Sequence, residues 1–90
     1  MMLDLIYTGR FRKDLIVCDK RGYDMELIQQ VIATLRIPAS LEPKYRNHAL
    51  SGFYSENQEC HITPDWLLIY YYGEDGLHLV RTGTHSDLFK

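Results

Sequence analysis

Apolar positions follow three rhythms along the chain. Leu3, Leu5 and Tyr7 alternate with Asp4 and Ile6, which predicts a short opening strand over residues 3–7. From Phe11 the period lengthens. Phe11, Leu15 and Cys18 recur at i, i+4 and i+7, predicting an amphipathic helix from Gly9 to Lys20 with Thr8 as its N-cap. Gly22 suits the left-handed residue that ends such a helix. Asp24 starts a second helix, with Glu26 near the positive end of its dipole and Ile28, Val31, Ile32 and Leu35 as its buried stripe. Pro38 stops it, because the residue before a proline is pushed out of helical geometry. The short connection predicts that the two helices pack as a hairpin.

Residues 38–49 show no clean period and are expected to form a loop, long for a chain of this size. The period then becomes two. Residues 52–57 and Gln58–Thr63 are predicted strands, with a turn near Glu56 and Asn57. Residues 66–72 are almost continuously apolar and aromatic, as a central strand buried on both faces requires. Gly73, Glu74, Asp75 and Gly76 make a hairpin turn before a last strand over residues 77–84 and a short tail, 84–89, of about one helical turn. The order β-α-α-β-β-β-β is an α+β fold, one helix hairpin on an antiparallel sheet.

The length, 90 residues, fits a single domain over 1–90. A 46% apolar and 24% charged composition excludes a disordered chain. No apolar run reaches the ~18 residues a membrane span needs, and the N-terminus lacks the basic-then-apolar pattern of a leader. A cytoplasmic protein without membrane contact is expected. Cys18 and Cys60 both sit in apolar patterns and read as reduced core residues, with a disulfide between them as the alternative. Ten Lys and Arg against twelve Asp and Glu do not announce a strongly basic nucleic-acid binder. The distribution is less even: Arg10, Arg12, Lys13, Lys20 and Arg21 face only Asp14 and Asp19 in their stretch. That run is either a solvated helix face or a contact for phosphate or an acidic partner.

Of the four histidines, His78 reads as a surface strand residue, while His48, His61 and His85 lie beside loops or turns. Strand parity puts Cys60 and Ile62 on the core face and Glu59, His61 and Thr63 on the other. Asp65 follows the next turn, either orienting a histidine or capping the turn. Parity also puts Arg81 on one face with Leu77, Leu79 and Gly83, where it needs an acidic partner or an open cleft. Two chemistries fit. A metal site is one, although His61-x3-Asp65 matches no compact zinc signature. Metal-free phosphoryl transfer is the other. There a ribose 2′-hydroxyl is the nucleophile, and the protein supplies a base, an acid and a cation. Histidines titrating near pH 6.5 suit both proton transfers. Single-stranded RNA as substrate would also use Tyr45, Tyr54 and Phe89 as stacking surfaces.

The segment His61-Ile62-Thr63-Pro64-Asp65-Trp66-Leu67-Leu68-Ile69-Tyr70, followed by Arg81-Thr82-Gly83-Thr84-His85-Ser86-Asp87-Leu88-Phe89, resembles the YafQ branch of the RelE toxin superfamily. His48-Ala49-Leu50-Ser51-Gly52 is similar to that branch's His-x-Leu-x-Gly. The resemblance covers essentially the whole chain. It implies a RelE-like α+β endoribonuclease, the toxin of a type II toxin–antitoxin system, that cleaves mRNA in the ribosomal A site and uses no cofactor. The implied partners are a DinJ- or RelB-like antitoxin, the ribosome with its mRNA, and operator DNA only through the antitoxin complex. The family's active-site positions fall on His48, His61, Asp65, Arg81, His85 and Phe89, with Trp66 packing beneath them. On this reading His85 is the general acid, His48 or His61 assisted by Asp65 is the base, and Arg81 stabilises the phosphorane. Phe89, Lys44 and Arg46 are the expected substrate contacts, and no metal is expected. Gln58 stands where relatives commonly have an arginine, which implies one phosphate contact fewer. The alternatives are a non-catalytic ParE-like toxin or binding module of the same fold, against which the histidines argue, and a zinc-binding regulatory domain.

Overall fold

The computed structural model describes residues 2–89. Strand β1 (Leu5–Tyr7) leads into helices α1 (Gly9–Lys20) and α2 (Met25–Arg36). Strands β2 (His48–Ala49), β3 (Gln58–Thr63), β4 (Trp66–Gly73) and β5 (Gly76–Gly83) follow, and α3 (His85–Leu88) closes the described chain. The sheet order is β1-β5-β4-β3-β2. β1 runs parallel to β5, and every other pairing is antiparallel. The sheet is therefore mixed rather than purely antiparallel: the helix hairpin carries the chain across one face, so β1 lies beside the last strand. Among the described residues no helix is long and apolar enough to cross a membrane.

Both helices start as their caps dictate. The Thr8 hydroxyl accepts the Phe11 N–H at 2.9 Å, and the Asp24 carboxylate accepts the Glu26 N–H at 3.1 Å. α1 buries Phe11 and Cys18, and α2 buries Ile28, Val31 and Leu35. They pack on Cys60, Ile62, Trp66, Leu68, Tyr70, Leu77 and Leu79 of one sheet face. Cys18 and Cys60 are both buried and free. The opposite face carries a smaller cluster, Leu67 and Ile69 under Leu88, flanked by Leu50, Tyr54, Val80 and Phe89. β4 is thus covered on both faces, as its apolar run predicts.

Three expectations are corrected. Strand β1 begins at Leu5, not Leu3, because the Leu3 N–H donates to the Arg36 carbonyl (2.8 Å) and the Leu3 carbonyl accepts from Arg36 Nε (2.8 Å). Residues 52–57 are not a strand. Gly52 adopts φ 69°, and Gly52–Tyr54 form a 3₁₀ turn closed by Ser55 N–H to Gly52 O at 3.1 Å. The strand that pairs with β3 is instead His48–Ala49, inside the segment expected to be a loop. Last, Arg81 does not share a face with Leu77 and Leu79. Tyr70 pairs with Leu79 but Ile69 with Arg81, so Val80 is an extra residue in β5. Such a bulge reverses the alternation and turns Arg81 to the face of Ile69.

Candidate active site

The face of the sheet left free by the helices is read off the register. His48 pairs with Glu59, Glu59 with Ile69, and Ile69 with Arg81. In the next row His61 pairs with Leu67, and Leu67 with Gly83. His48, Glu59, His61 and Arg81 therefore project from one face, and α3 brings His85 and Phe89 over its buried centre through Leu88. Of the candidate residues, His48, His61, Arg81, His85 and Phe89 all lie on or against this face.

Glu59 organises the histidine end. Its side chain is buried, and its Oε1 lies 3.3 Å from His48 Nε2 and 3.7 Å from His61 Nε2. The rings are 6.4 Å apart. His48 Nδ1 lies 2.8 Å from the Arg46 carbonyl, and His61 Nδ1 lies 3.3 Å from that of Pro64. A carbonyl only accepts, so both Nδ1 atoms carry the ring proton and donate it. Neutral rings would then aim two Nε2 lone pairs at a carboxylate oxygen. The arrangement is attractive only when the three groups hold a further proton between them. Glu59 Oε2 is buried and has no hydrogen-bond partner among the described residues. A buried carboxylate with one unpartnered oxygen costs stability, so its place between two histidines points to function. Glu59 is absent from the expected site residues, although its parity with His61 was the signal that could have found it.

Asp65 lies elsewhere. It is exposed in the turn after β3, makes no side-chain hydrogen bond or ion pair among the described residues, and lines a cleft of about 190 Å³ with Tyr23, Thr63 and Trp66. It does not touch His48 or His61. Its link to the histidines is the adjacent Pro64, whose carbonyl holds the His61 ring. Lys44 and Arg46 line a cleft of about 430 Å³ with His61, Thr63 and Pro64. Arg46 at φ 51° bends the chain into β2, which sets the direction of His48.

At the other end β1 stops opposite Leu79, leaving the edge of β5 beyond it without a strand. Asp14 of α1 completes that edge. Its carboxylate accepts the Thr82 N–H at 3.1 Å and binds Arg81 through Nε at 2.7 Å and Nη2 at 3.2 Å. Asp14 keeps Arg81 firmly charged, and the Tyr54 hydroxyl lies beside the same guanidinium. A two-point ion pair fixes the plane of the group and leaves its other N–H donors outside that pair. α3 is held with similar care. The Asp87 carboxylate caps it by accepting the Thr84 N–H at 2.8 Å and binds Arg21 at 2.7 and 3.1 Å. Arg21 and this cap hold the Asp87 carboxyl well below the usual carboxylate range. Gly83 at φ 153° allows the close approach, since a Cβ there would come within 2.8 Å of Asp87 Oδ2. His85 is exposed and lies against Phe89, ring centroids 4.9 Å apart.

Trp66 packs on the helix side, donating from Nε1 to Thr82 Oγ1 at 2.8 Å and resting on Tyr23. Gln58 also faces that side, where its Oε1 accepts from Asn47 at 2.8 Å and from Tyr70 at 3.3 Å. Among the described residues no set of three or more His, Cys, Asp or Glu side chains is disposed to hold a metal ion.

Fold and site together define a class: a small α+β protein that leaves one sheet face open and lines it with acid–base side chains. The sequence model described as "Bacterial toxin of type II toxin-antitoxin system, YafQ" matches residues 3–90. The chain is 35% identical over 91 residues to the mRNA interferase toxin YafQ of Escherichia coli (strain K12), spanning 96% of this chain and 95% of that protein. It superposes on the toxin of the E. coli DinJ-YafQ toxin-antitoxin complex with a TM-score of 0.90 at 33% identity, covering 100% of both chains. A metal-bound toxin from Helicobacter pylori matches with a TM-score of 0.90 at 40% identity, covering 99% of this chain and 100% of that one. The chain belongs to the YafQ family of bacterial toxins of type II toxin–antitoxin systems.

Proposed function

We propose that this protein is an endoribonuclease toxin that cleaves mRNA in the ribosomal A site and acts in the cytoplasm as a single domain. Its partner in restraint is a DinJ-like antitoxin. The observation that carries the reading is the His48–Glu59–His61 group, two imidazoles on one buried carboxylate, facing His85 across an open sheet surface. An mRNA interferase is what the E. coli relative is named.

That geometry supports the following reaction. One of His48 and His61 shares its Nε2 proton with Glu59, and the other offers its Nε2 lone pair to the ribose 2′-hydroxyl. The 2′-oxygen attacks the adjacent phosphorus. The other N–H donors of Arg81 stabilise the charge of the phosphorane, and His85 protonates the departing 5′-oxygen. Phe89 braces His85 and stacks on substrate, while Lys44 and Arg46 hold the RNA backbone beside His61. Asp65 acts on His61 through the turn that holds its ring. The products are a 2′,3′-cyclic phosphate, or its opened 3′-phosphate, and a 5′-hydroxyl. Both proton transfers and the charge stabilisation come from side chains, so no step calls for a metal. A ParE-like binding role has no use for the buried Glu59 between two histidines.

Inducing the chain alone in a bacterium tests the function. Wild type should arrest growth and translation, and His85→Ala should not. Unimpeded growth with soluble wild-type protein would overturn the reading.

A further inference from the structure

Phe53 is 94% exposed, against 60% for Met2, the next most exposed large apolar side chain among the described residues. Its exposure is not a consequence of a loose loop. The segment is closed by Leu50 N–H to Asn57 O at 2.9 Å, Ser55 N–H to Gly52 O at 3.1 Å and Asn57 N–H to Tyr54 O at 2.8 Å. Gly52 takes φ 69°, a conformation side-chain-bearing residues rarely adopt, and so turns Phe53 outward. The ring meets Tyr54 at 86° with centroids 5.0 Å apart, which leaves at least one of its faces open. Tyr54 in turn meets Phe89 at 5.8 Å, and Phe89 lies 4.9 Å from His85. Four rings therefore run outward from His85, and the last has no protein over it.

We propose that Phe53 is the stacking platform for one unpaired mRNA base beside the scissile phosphate. The proposal rests on the endoribonuclease reading and adds a residue that sets substrate affinity and base preference. Its neighbours Ser51, Gly52, Ser55 and Glu56 are small or charged. At the end of its aromatic row the ring has only Tyr54 as an apolar chain neighbour, and it offers a π-face, which every base can use. The row begins at His85, and its steps of 4.9, 5.8 and 5.0 Å keep the outer ring within reach of a strand whose 5′-oxygen lies at that histidine.

Purified full-length protein and ribosomes programmed with mRNAs differing only in the bases flanking the cut provide the test. Phe53→Ala should lower kcat/KM by roughly 5- to 150-fold, the range of one base-on-aromatic stack. The loss should appear in KM with kcat unchanged at saturation, since a stack made before and during the reaction is uniform binding. Phe53→Trp should restore it. Wild type should favour a purine over a pyrimidine at one flanking position, and Phe53→Ala should lose that preference. The side chain buries almost nothing, so its thermal midpoint should match wild type. An unchanged kcat/KM in an active background overturns the platform alone. A loss with flanking-base preference intact assigns the ring to ribosomal RNA and overturns the mRNA contact. Weaker antitoxin binding with normal cleavage assigns it to that interface and overturns the proposal. An inactive wild type overturns the endoribonuclease reading and this inference with it.

Discussion

Replacing Glu59 by glutamine removes a charge while keeping the shape. In the native protein Glu59 Oε1 sits 3.3 Å from His48 Nε2 and 3.7 Å from His61 Nε2, inside a buried side chain. One protonated imidazole at that distance is attracted by about 5 kcal/mol at an effective dielectric of ~20. Burying the carboxylate costs several kcal/mol in return, so the net effect on stability is small. The effect on chemistry is not. In the proposed reaction the carboxylate's charge decides which Nε2 is free to accept the 2′-hydroxyl proton. Loss of a working general base costs roughly 10²–10⁴ in rate. Glu59→Gln should therefore lower single-turnover cleavage of mRNA on programmed ribosomes by about 10²-fold or more. Its thermal midpoint should hold or rise, because the unpartnered Oε2 no longer buries charge. Cleavage within threefold of wild type would refute the role. So would a midpoint lower by more than about 5 °C, roughly 1 kcal/mol for a domain of this size, since it would make Glu59 a structural residue.

Other outcomes follow from the same geometry. His85→Ala should lose roughly 10²–10⁴ in cleavage rate with an unchanged melting curve, because the residue is exposed. The Asp87 carboxyl is depressed by Arg21, so its contribution is fully present above the ordinary carboxylate range near 4 and is lost as pH falls through the depressed value. Amide exchange at α3 should accelerate only in strong acid, and in Arg21→Ala at milder acidity. Burial pushes the Cys60 thiol up to about 12, so it should resist alkylation in the native state at pH 8 and react on unfolding. Its contribution is whole below about 9 and declines above that as the unfolded thiol ionises. Reversing Arg12 and Lys13 to Glu should slow antitoxin association at low salt and flatten its salt dependence, as measured by stopped flow. The adjoining cleft of about 430 Å³ is lined by Arg10 and Lys13 together with the paired Arg21–Asp87 and Arg81–Asp14.

Periodicity located both long helices, β3 and β5, each of which buries a stripe at its own period, and the continuous apolar run located β4, which is covered on both faces. Phe11 and Cys18, and Ile28, Val31 and Leu35, are buried as that stripe requires. It failed where hydrogen bonds rather than burial decide. His48–Ala49 is a strand of two exposed residues, recognisable only through its partners Glu59 and Gln58. Residues 52–57 look strand-like, yet Gly52 turns them into a hydrogen-bonded loop. The bulge at Val80 has no periodic signature, and it alone moves Arg81 to the open face. The histidines were legible through the motif and through strand parity. Glu59 was legible only as the third member of an alternation. Nothing local to Asp14 announces that it holds an arginine 67 residues away.

The chemical ends left on the mRNA distinguish attack by the 2′-oxygen from attack by water. Purified wild type acting on programmed ribosomes should leave a 2′,3′-cyclic phosphate, or its opened 3′-phosphate, facing a 5′-hydroxyl, because the nucleophile in the proposed reaction is the substrate's own 2′-oxygen. A 2′-deoxy nucleotide at the cut should block the reaction. Ends carrying a 5′-phosphate and a 3′-hydroxyl, or cleavage that survives the 2′-deoxy substitution, would mean that water is the nucleophile and would contradict the roles given to His48, Glu59, His61 and His85.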